Sequence, residues 1–144
     1  MAKYGSTLLI ILALVLSGCA TPEAKLKRAD KHVRNLINED ISWSKSIGGL
    51  QAEIKGQPAV KLMQLGRAAN EPLFDSLQNP DKTIAAHVLL TKINLDRYRL
   101  SENSFNGLRL RIGSDGKYEP RAADIEKVID FWEKELGYRA ITVQ

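Results

Sequence analysis

Cysteine is nearly absent from this chain. Its 144 residues include one, Cys19, together with two histidines, His32 and His87, three Phe, four Tyr and two Trp. One cysteine excludes an internal disulfide, so the fold must rest on its apolar core. A zinc centre needs three or four ligands, and neither histidine has a Cys, HxxxH or HxxE partner. His87 therefore reads as a packed or hydrogen-bonded side chain. No Gly-x-Ser-x-Gly elbow is present. Gly113-Ser114-Asp115-Gly116 reads as a turn, because the alternating carboxylates and distal Glu of an EF-hand are missing. Glu39 and Asp40 are adjacent and would point in different directions on a helix, which argues against paired carboxylates for glycan hydrolysis. No catalytic, metal or cofactor residue is assigned, and the chain is expected not to be an enzyme. Its +4 formal charge is only mildly basic and gives no reason to expect a nucleic-acid partner.

Long apolar runs are also scarce. The one present, residues 7–16 (TLLIILALVL), follows a single Lys3 and has the length of a signal-peptide apolar segment. It is half of the roughly 20 residues that a membrane-spanning helix needs. The run ends in Leu16-Ser17-Gly18-Cys19, an aliphatic, a small residue, Gly and Cys. This tetrapeptide resembles the lipobox of bacterial lipoproteins. The resemblance implies cleavage between Gly18 and Cys19, a diacylglyceryl group on the Cys19 thiol and acylation of the new amino terminus. Residues 1–18 would be the signal peptide and 19–21 the lipidated tether. Several acyl chains hold a protein durably where one is marginal, at about 0.8 kcal/mol per buried methylene. In the lipoproteins of a didermal host, an Asp after the cysteine typically marks retention in the inner membrane. Ala20 is not that Asp, so the periplasmic face of the outer membrane is expected.

Beyond the tether, Thr21-Pro22-Glu23 has the cap, first-turn proline and early acid of a helix start. The apolar spacing of Leu26, Ala29, Val33 and Leu36/Ile37 predicts a helix to about Asn38. Lys25, Lys27, Arg28, Lys31 and Arg34 occupy its other face. Such a face is ordinarily solvated; the sharper reading lays it on anionic headgroups beside the anchor. Residues 41–54 look irregular, broken at Gly48-Gly49, and the exposure of Trp43 is open. Three helical segments follow: one restarting at Gly56-Gln57-Pro58 and stopping at Gly66, one beginning at Asn70-Glu71-Pro72 and ending before Asn79-Pro80, and one capped by Asp81 and carrying Ile84, Val88, Leu89, Thr91 and Ile93.

Residues 59–93 (AVKLMQLGRAANEPLFDSLQNPDKTIAAHVLLTKI) resemble a HEAT-like helical repeat. The likeness lies in the Leu-Gly helix end, the Pro-Leu-x-x-x-Leu short helix, the Asn-Pro-Asp turn and the amphipathic helix after it. It departs at Ile84-Ala85-Ala86-His87, where such repeats commonly place an Arg, and no second copy follows at a 30–45-residue period. The resemblance implies a lone helical unit used as a protein-interaction scaffold.

Residues 94–106 read as a polar loop. The strict alternation of Leu108-Arg109-Leu110-Arg111-Ile112 predicts a half-buried strand, turning at 113–116 into a second strand at Lys117-Tyr118-Glu119. Arg109 and Arg111 form its outward face, a mild prospect for an acidic partner. Pro120 is expected to open the last helix, with Ile125, Val128, Ile129, Trp132 and Leu136 inward and Gly137 as the stop.

The expectation is a mostly α fold: one domain at 22–137, a HEAT-like unit at 59–93, a short β-hairpin at 108–119 before the C-terminal helix, and a loosely held tail at 138–144. Its function would be that of a lipid-anchored, periplasm-facing accessory or protein-interaction module of the bacterial envelope. Membrane lipid, through acylated Cys19, and an unidentified envelope protein are the partners. An immunity- or inhibitor-type lipoprotein that masks one toxin or enzyme is the alternative, and an envelope hydrolase is a weaker one.

Overall fold

A computed structural model describes residues 20–47, 49–95, 100–101, 104–105 and 107–138. The fold is mostly helical, with a short antiparallel hairpin before the C-terminal helix. Helix α1 (Pro22–Arg34) starts as expected: Thr21 caps it, its hydroxyl accepting from the Ala24 amide at 3.2 Å. It ends four residues short of Asn38, because Leu36 leaves the helix to enter the core and Asn38 opens a separate 3-10 turn. Ala29 is buried and Val33 packs on the core, while Ile37 is exposed.

Residues 41–54, expected to be irregular, form a regular hairpin of β1 (Ile41–Ser46) and β2 (Gly49–Ile54). Ile41 pairs with Ile54, Trp43 with Ala52 and Lys45 with Leu50, and serines, Gln51 and Glu53 take the intervening register positions. This is two-residue alternation. Ser46 pairs with Gly49, so Gly49 opens β2 in register instead of breaking the order.

Helix α2 (Gln57–Leu65) carries Pro58 in its first turn and stops at Gly66, whose φ of 58° is left-handed. A 3-10 turn (Gly66–Ala69) leads into α3 (Asn70–Ser76). Helix α4 (Thr83–Asn94) is the centre of the molecule: every residue from Thr83 to Thr91 is buried. A helix enclosed on all sides has no polar stripe. Helices α2 and α3, the hairpin strand β1 and the turn at Asn38–Asp40 all pack around α4.

Asp81 does not cap α4. That role falls to Asn38, more than forty residues earlier: its Oδ1 accepts from the amides of Ile84 (2.9 Å) and Ala85 (3.3 Å). Its Nδ2 donates to the Pro80 carbonyl at 2.7 Å. Lys82 returns the favour, its Nζ donating to the last carbonyls of α1, Val33 at 2.6 Å and Arg34 at 2.8 Å. Two helix ends are thus satisfied across a tertiary gap.

The stretch read as a polar loop contributes the end of α4 and two short strands, β3 (Leu100–Ser101) and β4 (Ser104–Phe105). They extend the expected hairpin of β5 (Leu108–Ile112) and β6 (Tyr118–Pro120) into an antiparallel sheet in the order β3-β4-β5-β6. Pro120 ends β6 instead of opening a helix; α5 (Ala122–Leu136) begins after Arg121 and closes at Gly137, φ 71°. A single apolar core runs from Ala29 to Trp132. From the tail, Tyr138 sets its ring edge-on against Phe74 at 5.6 Å, and 139–144 lie outside the described residues.

Candidate functional site

Two places concentrate polar chemistry. The first is buried. His87, fully enclosed on α4, has its Nε2 2.8 Å from the carbonyl of Phe105, and the indole Nε1–H of Trp132 donates to its Nδ1 at 2.8 Å. The indole has no acceptor function, so Nδ1 must accept and Nε2–H must donate to the carbonyl. This fixes one neutral tautomer. Burial pushes the ring's pKa down from 6.5 to about 4, against a smaller upward pull from the Phe105 carbonyl. His87 is the hydrogen-bonded residue expected from the sequence. It pins the two-residue strand β4 to α4 and α5, a structural task.

The second is an open cleft of about 520 Å³ between the turn at Asn38–Asp40, the loop at Pro80 and Asp81, and the β5–β6 hairpin. Two ion pairs line it: Lys117 with Glu39 at 2.7 Å, and Arg111 with Glu119 at 2.9 Å. The Lys117 ammonium holds the Glu39 carboxyl below the usual carboxylate range, chiefly through their hydrogen bond. Glu39 in turn raises Lys117, so both groups stay charged at neutral pH. Ile37, 47% exposed, and Tyr118, 39% exposed, also border the cleft, two of the larger apolar side chains left in water. Asp81 and Asp115 add negative charge to the rim. Such a surface suits recognition: it offers an apolar contact flanked by fixed charges of both signs.

Glu39 and Asp40 diverge as their adjacency predicts. Glu39 faces the cleft, while Asp40 turns inward and its Oδ2 accepts from the Ile37 amide at 3.1 Å. The turn at 113–116 closes with Gly113 N donating to the Lys117 carbonyl at 2.7 Å, and Gly116 sits at φ 80°. Trp43 is half-buried, edge-on to Phe105 at 5.7 Å and tilted against Tyr118 at 6.2 Å, so it is not a free anchor. Arg109 and Arg111 are exposed as the alternation predicts, Arg111 taken up by Glu119. Cys19 and Gly18 lie outside the described residues. Among the described residues, no group of three or more His, Cys, Asp or Glu is placed to hold a metal ion, and no helix is long and apolar enough to cross a membrane.

The cleft was not legible in the sequence. Glu39 and Lys117 are far apart in the chain, and neither carries a motif. No family model, curated protein or solved structure matches the chain.

Proposed function

We propose that this protein is a lipid-anchored module of a bacterial envelope, held by acylated Cys19 and facing the periplasm, that works by binding another protein. The cleft carries the interaction part of this reading: exposed Ile37 and Tyr118 border it together with two ion pairs, an apolar contact beside fixed charges. The lipobox-like Leu16-Ser17-Gly18-Cys19 supports the anchor, and the HEAT-like character of residues 59–93 supports a scaffold role.

In-cell crosslinking of the C-terminally tagged full chain, with mass spectrometry, tests the proposal. One dominant envelope partner is expected, reduced in Cys19→Ala and lost in Ile37→Asp, which alters an exposed side chain and leaves the core intact. Equal recovery of the same abundant proteins from all three forms would overturn it.

A further inference from the structure

The outer face of α1 is basic, uncommitted and next to the anchor point. The helix turns Ala29 and Val33 toward the core and packs on α2 and α3. At 100° per residue, Lys27, Arg28, Lys31 and Arg34 then fall on the far side, and all four are exposed. Among the described residues none of them is in an ion pair. The acids of this helix, Glu23 and Asp30, share one flank, one turn from Lys27 and Arg34, and leave Arg28 and Lys31 with no acid a turn away.

We infer that this stripe rests on an anionic phospholipid surface, with the folded domain stacked on the helix's opposite side. Placement argues for lipid over an acidic protein. The helix starts three residues after Cys19, at most about 10 Å of extended chain, so the stripe of an anchored molecule lies within reach of headgroups. Arg34 borders a groove against α3 with Asp30 and Asp75, whereas Lys27, Arg28 and Lys31 stand outside it. The apolar face of α1 is spent on the protein core, so the contact is electrostatic rather than inserted. It therefore acts within a Debye length and weakens with salt.

This rests in part on the reading of Cys19 as an anchor, and the test separates the two. The processed full chain is incubated with vesicles of zwitterionic lipid alone or with added phosphatidylglycerol, and lysine acylation is followed by mass spectrometry. On anionic vesicles Lys27 and Lys31 should react at least about fivefold more slowly, a protection abolished by high salt, while Lys55 and Lys134 keep their rates. Arg28→Glu/Arg34→Glu, which retains both reporter lysines, should lose most of the protection. Equal rates on the two vesicle types overturn the inference. Intact mass reports acylation of Cys19 independently: protection on an unmodified chain sustains the lipid contact and removes the anchor, whereas a lipidated chain without protection does the reverse.

Discussion

At the scale of single residues, His87 holds together groups that no apolar side chain can satisfy. It accepts from Trp132 and donates to Phe105 inside the core, where an unmet donor or acceptor costs about 1–3 kcal/mol. His87→Phe keeps an aromatic ring but removes the acceptor of the Trp132 indole and one donor to the Phe105 carbonyl, so urea unfolding at pH 7 should show a loss of roughly 2–4 kcal/mol. The same residue sets a pH dependence. Its folded pKa, about 4, lies below the 6.5 of the free ring, so between those values the unfolded chain binds a proton that the folded one refuses. The neutral ring's contribution is complete above about 6.5 and disappears as pH falls toward about 4, on the order of 3 kcal/mol in all. Denaturation midpoints should therefore drop between pH 7 and pH 5 in the wild type, and His87→Phe should flatten that slope. Gly56 is another fixed point. A β-carbon there would overlap the buried carboxylate of Asp40, whose backbone carbonyl accepts from the Lys55 and Gly56 amides. Gly56→Ala is expected to displace Asp40 and lower the melting temperature by several degrees, at roughly 2–4 °C per kcal/mol for a chain near 150 residues.

At the scale of elements, α1 and α4 are joined end to end by the exchange of Asn38 and Lys82. Asn38→Ala removes an N-cap from a buried helix end and should cost about 1–2 kcal/mol. Lys82→Met should cost less, about 0.3–1 kcal/mol, and the double variant should lose less than the sum if each cap orders the other. A double-mutant cycle by chemical denaturation checks both. These elements also show what could be read in advance. Thr21, Gly66 and Gly137 are local signals, and each stands where the sequence places it. The β1–β2 hairpin is equally local, its alternation of Ile41, Trp43 and Ala52, Ile54 with polar residues present in the sequence, but Gly48-Gly49 is as much a break signal as a turn signal. Asn38 was beyond local reach. It caps a helix that begins more than forty residues later, and Asp81 offered a better-looking cap in sequence. The Glu39–Lys117 pair was hidden for the same reason: its partners meet only after the sheet has docked on α4.

At the scale of the whole molecule, a continuous series of rings crosses the structure. Tyr118, Trp43, Phe105, His87, Trp132 and Phe131 follow one another at centroid distances of 5.0–6.2 Å. The series links the β1–β2 hairpin, the four-stranded sheet, α4 and α5, most of its pairs meeting edge to face as aromatic quadrupoles prefer. Trp43→Ala should uncouple the hairpin, raising amide exchange in β1 and β2 while α4 stays protected; uniform exchange across the molecule would argue against this division.

Helix α1 ends only three residues before Ile37, so it also fixes where the cleft stands. With Cys19 as the proposed attachment point, its thirteen residues form a rigid arm of about 20 Å between tether and docking surface. Ala29 and Val33 seat that arm on the core and Lys82 ties its last carbonyls, so the direction from tether to cleft is fixed by packing along the helix. The proposed attachment point and the cleft therefore keep one relative direction, set by a helix that takes no part in the cleft itself.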